Sequence, residues 1–99
     1  MTWTVTASAA AESDIAEAID WYESKSVGLG GRLLEEIQSL RQRLETNPFQ
    51  FPLAHREARR ASLRRFPYIL IFLVEDQEVR LLAFFHTSRN PQRWRSRIG

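Results

Sequence analysis

The side chains best suited to chemistry lie close together late in the sequence, in FFHTSRNPQRWR, Phe84 to Arg95. His86 follows an apolar run, and Arg89 comes shortly after it. An imidazole exchanges protons near neutral pH, and a guanidinium binds phosphate or carboxylate through paired hydrogen bonds. The pattern is compatible with catalysis, with an anion-binding surface, and with a histidine that is only hydrogen-bonded in the core.

A second group of arginines precedes the most apolar segment of the chain: Arg56, Arg59, Arg60, Arg64 and Arg65. If the last two strands pair antiparallel, the end of the final strand lies beside the start of the strand before it. His86 and Arg89 should then lie near Arg65 and Tyr68. A histidine, two arginines and a tyrosine at one end of the sheet could bind a phosphate, stack a base and move a proton. The candidate catalytic set is therefore Arg65, Tyr68, His86 and Arg89. Tyr68 is equally suited to closing the core at the sheet edge.

Charge is distributed unevenly along the chain. Residues 1–54 carry 4 basic and 8 acidic side chains, a net −4, whereas residues 55–99 carry 10 basic and 4 acidic, a net +6. The arginine-rich half favours an anionic partner, although a solubilising surface explains the same charges. The candidate target-binding residues are Arg60, Arg64, Arg93, Trp94 and Arg95.

Two of these assignments have competing interpretations. Arg64 and Arg65 are neighbours on a predicted strand, so their side chains point to opposite faces and only one can join a given site. Trp94 is better explained by an anchoring role for a terminal helix than by base stacking.

The sequence contains no motif for a metal or a cofactor. His55 and His86 have no ligand at metal-binding spacing, and the absence of cysteine excludes disulfides and thiolate sites. Acidic pairs such as Glu35 and Glu36 are expected on solvated helix faces. The glycines of VGLGG follow a predicted helix rather than a strand, so a dinucleotide-binding loop is not predicted. We expect neither a metal nor a cofactor.

The composition predicts a cytoplasmic protein without membrane contact. No apolar run approaches the roughly 18 residues that a membrane-spanning helix needs. The first residues, MTWTVTAS, lack the basic region and apolar stretch of a signal peptide.

Hydrophobic periodicity divides the first half into a strand and two helices. Residues 2–7 alternate as a strand with one buried face, and Ser8 is placed to cap the helix that follows. The segment Ser26–Gly31 breaks that helix. Apolar residues then recur at helical spacing at Leu33, Ile37, Leu40 and Leu44, until Asn47-Pro48 ends the pattern.

The second half predicts a sheet. Phe49–Glu57 is predicted as a loop, and Arg60–Phe66 as a strand. Tyr68–Val74 is apolar throughout, which is typical of a central strand buried on both faces. Val79–Phe85 is predicted to return antiparallel, and Asn90-Pro91 to start a short helix. The fold class is α+β: β-α-α-β-β-β with a short C-terminal helix, an antiparallel sheet packed on an αα-hairpin, in one domain over 1–99.

This succession resembles the toxins of the RelE/ParE superfamily of bacterial type II toxin–antitoxin systems. The resemblance covers nearly the whole chain in order, through the motifs DIAEAIDWYE, GLGGRLLEEI, NPFQFP, RRASLRRFPYILIF and LLAFFHTSRNPQRWR. It implies a small domain with a helical hairpin against an antiparallel sheet. It also implies a cognate antitoxin that wraps the toxin, in a toxin–antitoxin hetero-oligomer.

The resemblance implies two different targets. ParE-like members inhibit DNA gyrase, whereas RelE-like members cut mRNA on the ribosome with basic residues of the sheet and C-terminal end. The long hairpin and its GLG turn are more similar to the ParE side. The lysines typical of RelE-like sites are missing from the sheet, and Ile69-Leu70-Ile71 has no arginine where those enzymes place one. We therefore expect a gyrase inhibitor, with mRNA cleavage or an antitoxin-binding member without toxicity as alternatives.

Overall fold

The computed structural model of the protein describes residues 2–98. Its elements, in chain order, are β1 (Thr4–Ala7), α1 (Ala9–Lys25), α2 (Leu29–Thr46), a 3-10 helix (Pro48–Gln50), β2 (Leu53–His55), β3 (Ala58–Ser62), β4 (Tyr68–Glu75), β5 (Glu78–His86) and α3 (Gln92–Arg95). The predicted α+β class and the helical hairpin are confirmed.

Capping groups define the helical hairpin. The Ser8 hydroxyl accepts a hydrogen bond from the Ala11 amide, 3.1 Å away, and so caps α1 as predicted. Between the helices, Gly28 has φ +90°, a left-handed conformation that glycine adopts without steric cost. The Glu23 carboxylate accepts hydrogen bonds from the amides of Gly28 and Gly30, which start α2. These bonds satisfy donors that a helix N-terminus leaves free.

The sheet has the order β1-β5-β4-β3-β2, so the apolar strand β4 lies at its centre, as predicted. Strands β2 to β5 pair antiparallel, whereas β1 pairs parallel with β5, from Thr4 opposite Glu78 to Ala7 opposite Leu81. The sheet is therefore mixed rather than wholly antiparallel. The parallel pairing is possible because the helical hairpin and strands β2 to β4 lie between β1 and β5 in the chain, so the connection is long enough for parallel strands.

Two segments differ from the sequence prediction. The predicted loop Phe49–Glu57 contains most of the 3-10 helix and all of β2, whose three residues are too short for a detectable period. The strand predicted over Arg60–Phe66 runs instead over Ala58–Ser62, so residues 63–67 form a bend. Residues 56–57 form the turn between β2 and β3, with Arg56 at φ +54°, and β3 starts directly after it at Ala58.

The sheet separates two apolar cores. On one face, the helical hairpin packs its buried residues, among them Leu33, Ile37, Leu40 and Leu44, against the side chains of β4 and β5. On the other face, hereafter the second face, Trp94 of α3 packs against Ile71, Leu82 and Ala83. Fully burying a large side chain of this kind contributes roughly 1.5–3 kcal/mol before entropy is subtracted.

A β-bulge in β5 adjusts the two faces. Ile71 pairs with Ala83 and Phe72 with Leu81, so Leu82 is an extra residue in β5. Leu82 and Ala83 consequently both belong to the core of the second face, although consecutive strand residues normally alternate.

Candidate functional site

Tyr68 and His86 lie opposite each other where β4 starts and β5 ends. Their ring centroids are 5.4 Å apart in an edge-to-face arrangement. Tyr68 also stacks on Phe84, with centroids 4.7 Å apart and an angle of 18° between the planes. The antiparallel register places directly opposite residues on the same face, so it creates this contact.

A tight turn after β5 fixes the orientation of His86 and the position of Arg89. The Arg89 amide donates to the His86 carbonyl at 3.0 Å and closes the turn. The Ser88 amide donates to His86 Nδ1 at 3.1 Å, and the Ser88 hydroxyl lies 2.8 Å from the same nitrogen. Because Nδ1 accepts a hydrogen bond from the Ser88 amide, the proton of the neutral ring is assigned to Nε2.

Aromatic side chains extend from this pair onto α1. Tyr22 lies between Phe66 and Tyr68, with centroids 4.9 Å and 6.0 Å away. Trp21 contacts Tyr22 edge-on at 4.9 Å, and about half of its surface is exposed. Burial raises the pKa of the Tyr22 phenol, and the nearby Tyr68 adds to the rise. The phenol therefore stays protonated at neutral pH.

These side chains line an open cleft of about 430 Å³ between α1 and the end of β5, hereafter the α1–β5 cleft. Its residues are Asp14, Glu17, Ala18, Trp21, Tyr22, Tyr68, Phe84, Phe85, His86, Ser88 and Arg89. Helix α1 contributes the carboxylates of the cleft, and the turn after β5 contributes the Arg89 guanidinium. The cleft thus combines aromatic surface with charges of both signs.

Asp14 and Arg97 fix the wall of the α1–β5 cleft. Asp14 Oδ2 accepts hydrogen bonds from the Phe84 amide at 3.1 Å and from Arg97 Nη1 at 2.7 Å. Arg97 Nη1 also donates to the Leu82 carbonyl at 3.0 Å. The two side chains therefore satisfy backbone groups beside the bulge, where β1 no longer covers the edge of β5.

The structure divides the candidate catalytic set. Tyr68, His86 and Arg89 line the same cleft, whereas Arg65 does not. Arg64 and Arg65 lie in the bend of residues 63–67, not on a strand, and both of their amides donate to the Glu36 carboxylate. A strand-based argument about the faces of these two arginines is therefore wrong.

The candidate target-binding residues are distributed over three places. Arg60, Trp94 and Arg95 line a groove on the second face of the sheet, together with Arg89. Arg93 lines a smaller hollow of about 120 Å³ that it shares with Arg89 and Trp94. Arg64 lies in a separate hollow beside α2. Arg89 and Phe85 thus line both the α1–β5 cleft and the groove on the second face.

The sequence-based assignment of the site did not include Trp21, Asp14 or Arg97. Trp21 lies outside the apolar stripe that α1 shows at helical spacing, which is a detectable signal for an exposed aromatic side chain; the stripe consists of Ala11, Ile15, Ala18, Ile19 and Tyr22. The pairing of Asp14 with Arg97 has no sequence signal, because 83 residues separate them.

The family model described as ParE toxin of type II toxin–antitoxin system, parDE, matches residues 5–91. The chain belongs to the ParE toxin family. A solved structure described as the chromosomal ParDE TA system from P. aeruginosa is similar in fold to this ParE-family chain, with a TM-score of 0.71 and 18% sequence identity. That similarity covers 85% of this chain and 95% of the other. No curated protein sequence matches the chain.

In this ParE-family toxin, the α1–β5 cleft brings together a hydrogen-bond donor, a cation and aromatic side chains. In the assigned tautomer, His86 Nε2 carries the ring proton and donates a hydrogen bond. Arg89 supplies a cation, and Tyr68 and Trp21 supply aromatic surface. These groups suit recognition of a partner that carries an anionic group beside a flat or apolar one.

Neither a metal site nor a membrane span is found in the described part of this ParE-family chain. Within residues 2–98, no three or more His, Cys, Asp or Glu side chains are grouped closely enough to hold a metal ion. Over the same residues, no helix has both the length and the apolar character needed to cross a bilayer.

Proposed function

We propose that this protein is a growth-inhibiting toxin that acts on DNA gyrase in the cytoplasm. The observation that carries the proposal is the match to the ParE toxin family over residues 5–91. Gyrase inhibition is the activity that the resemblance to ParE-like toxins implies. The proposed action is binding, with no covalent step.

The chemistry of the second face supports binding over RNA cleavage. Ile69 and Ile71 form part of the groove floor there, beside the arginines. A ribonuclease that works without a metal needs cations at the phosphate and a group that accepts the 2′-hydroxyl proton. The groove has cations at its rim, Arg60, Arg89 and Arg95, but no histidine or carboxylate side chain lines it, and His86 lies in the α1–β5 cleft instead.

We further propose that a cognate antitoxin holds the toxin inactive in a hetero-oligomer. The family description names a type II toxin–antitoxin system, which supports a protein antitoxin. The hairpin and the sheet both present partly exposed apolar residues, including Trp21 and Leu53, which suit a partner that wraps the domain.

A supercoiling assay with purified protein and purified gyrase tests the gyrase proposal. We expect inhibition at micromolar toxin, and weaker inhibition by the Arg89→Ala variant, because Arg89 links the two candidate surfaces. Arg80→Ala is the matched control, since Arg80 is an exposed arginine on β5 that lines neither surface. Absence of inhibition by folded wild-type protein would overturn the proposal.

Ribosome-dependent mRNA cleavage is the second candidate, favoured by the meeting of Tyr68, His86 and Arg89 in one cleft. Mapping of RNA ends on translating ribosomes tests it. Cleavage by the wild type that is lost in His86→Ala and Arg89→Ala would replace the gyrase proposal. Growth arrest that persists in both variants, without new RNA ends, would exclude the catalytic assignment.

A further inference from the structure

We propose that the groove on the second face of the sheet is a binding site for a small amphipathic organic anion. The ligand has a compact apolar body, a ring or a short acyl chain, and carries a carboxylate, sulfonate or phosphate group. This inference goes beyond the proposed function, because a small-molecule site requires neither gyrase nor a protein partner.

The register of the strands builds the groove. Arg60 of β3 lies opposite Ile71 of β4, and Ile69 of β4 lies opposite Phe85 of β5. Directly opposite residues share a face of the sheet, so the Arg60 cation lies beside apolar side chains of the two central strands. Helix α3 adds Trp94, which stacks on Phe85 with ring centroids 5.5 Å apart. Segments distant in the sequence therefore form one concave surface.

The floor of the groove is apolar and has the size of a small ligand. The volume is about 370 Å³, within the range of small-molecule sites. Leu53 lines the groove and is 58% exposed, so an apolar ligand body would remove part of this side chain from water. The apolar lining residues are Leu53, Ala54, Ile69, Ile71, Phe85, Pro91 and Trp94. Such a floor favours an organic ligand over a bare inorganic ion.

The cations at the rim are uncompensated. Arg60, Arg89 and Arg95 line the groove, and no acidic side chain does. Within residues 2–98, none of these three guanidinium groups forms a salt bridge or a hydrogen bond, whereas Arg97 is paired with Asp14. Guanidinium groups bind carboxylate and phosphate through paired, charge-assisted hydrogen bonds. Three unpaired cations beside apolar surface therefore select a ligand that is anionic at one end.

Two neighbouring cavities are less suited to an anion. The α1–β5 cleft contains the carboxylates of Asp14 and Glu17 as well as the Arg89 guanidinium. The hollow that contains Arg93 is lined by the same two carboxylates, and its volume is only about 120 Å³. A bound anion would meet repulsion in both places. The groove combines ligand-sized volume with cations and no carboxylate.

The aromatic geometry favours a small molecule over a single-stranded nucleic acid. Such nucleic acids bind through exposed aromatic faces on which successive bases stack. Trp94 is only 7% exposed, with Phe85 stacked on it and the Arg95 guanidinium 5.7 Å from its ring centroid. The indole is therefore not a free platform for a base. A compact apolar body needs no such platform, because it can lie against the aliphatic floor.

Binding of anilinonaphthalene sulfonate to the purified full-length protein tests the inference. This probe joins an aromatic body to one sulfonate, and its fluorescence rises when it leaves water. Phenylnaphthylamine, which has the same rings without the sulfonate, is the matched neutral probe. We expect one-to-one binding of the sulfonate by calorimetry, about tenfold or more tighter than binding of the neutral probe, because the rim bonds only the anion.

Substitutions at the rim locate the bound sulfonate. Arg60→Glu and Arg95→Glu should each weaken its binding by about tenfold or more, because a carboxylate then replaces a guanidinium. Arg80→Glu is the matched control. Arg80 is an exposed arginine of β5 outside the groove, so its replacement should change the affinity by less than about threefold.

A second pair of variants tests the apolar floor. Leu53→Ala should weaken binding of the sulfonate probe by about threefold or more, because the ligand body loses apolar contact. Leu34→Ala is the control, since Leu34 is an exposed leucine of α2 that does not line the groove. All the substituted side chains are exposed, so the variants are expected to fold, and thermal unfolding verifies it.

The outcomes decide whether the groove has this ligand chemistry. Absence of sulfonate binding to the folded wild type overturns the inference. Equal affinity for the two probes, or unchanged affinity in both arginine variants, also overturns it. Binding of a single-stranded RNA oligonucleotide that displaces the probe and is lost in both arginine variants would assign the groove to nucleic acid instead. None of these results bears on gyrase inhibition, which the supercoiling assay measures separately.

Discussion

Asp14 and Arg97 form a salt bridge, 2.7 Å from Nη1 to Oδ2, that joins the first helix to the last residues of the described chain. The same two atoms bond to the backbone of β5 on either side of Ala83. The pair is less than half exposed, with Arg97 at 33% and Asp14 at 21%. This contact holds the bulged end of β5, and with it the wall of the α1–β5 cleft.

Replacement of Asp14 by alanine should lower the free energy of unfolding by about 1–3 kcal/mol, because the Phe84 amide and Arg97 both lose their acceptor. Urea unfolding measures the change. Asp20→Ala on the same helix is the control, since Asp20 is exposed and should shift stability by no more than about 0.5 kcal/mol. Equal effects of the two substitutions would show that the bond to β5 adds nothing.

Gly30→Ala should destabilise the hairpin by about 1–3 kcal/mol. A Cβ at this position would lie 2.8 Å from the backbone oxygen of Ile19 and 3.0 Å from Glu23 Cβ, so α1 and α2 would have to separate. Gly31→Ala is the control, because a Cβ there meets nothing within 4 Å. Helix propensity then predicts that Gly31→Ala is neutral or stabilising, by up to about 1 kcal/mol. Similar melting temperatures for the two variants would contradict this packing argument.

Stability should decrease above about pH 10 through Tyr22, the pH at which an ordinary tyrosine ionises. Burial raises the pKa of Tyr22 in the folded state, so the unfolded chain releases the proton first. The stability that protonated Tyr22 contributes is complete below the pKa of tyrosine in the unfolded chain, and it is lost as the pH rises through the pKa of Tyr22 in the folded state. Melting temperatures of wild type and Tyr22→Phe, compared between neutral and alkaline pH, measure it. A difference that does not change with pH would refute the linkage.

Trp94→Phe should cost much less stability than Trp94→Ala. The indole Nε1 is buried and has no hydrogen-bond partner among residues 2–98, so phenylalanine removes a desolvated polar group and keeps an aromatic ring against Phe85. Trp94→Ala leaves a cavity and should cost about 3–5 kcal/mol. Chemical denaturation compares the two. Equal losses would mean that the indole nitrogen has a favourable partner.

Glu36→Ala should speed hydrogen exchange at the amides of Arg64 and Arg65, because both donate to the Glu36 carboxylate. Glu35→Ala, an exposed neighbour on α2, is the control and should leave those amides unchanged. Exchange mass spectrometry of the peptide that contains residues 63–67 provides the measurement. Protection that survives in Glu36→Ala would show that the bend is held by other contacts.

Residue patterns predict those parts of the fold that repeat. The buried stripe of α2, from Leu33 to Leu44, and the central strand β4 follow from periodicity and from a long apolar run. The three residues of β2 carry no period, and the bulge at Leu82 lies within a run that is apolar on both sides. The parallel pairing of β1 depends on contacts between distant segments, which local patterns do not encode.

The same distinction applies to the site. The proximity of Tyr68 to His86 follows from antiparallel pairing alone, and it is present in the structure. The placement of Arg65 depended on extending a strand through residues 63–67, where the chain bends instead. The functional roles of these residues stay predictions. The Asp14–Arg97 pair could not be predicted from the sequence, because it depends on how α3 returns across the sheet.

The pairing of Thr4 with Glu78 has a consequence for biosynthesis. A ladder between segments this far apart gives a high contact order, which slows folding and delays completion of the sheet. During translation, the first strand emerges early but finds its neighbour only after β5 has left the exit tunnel. Nascent chains therefore lack the finished sheet for nearly the whole of synthesis.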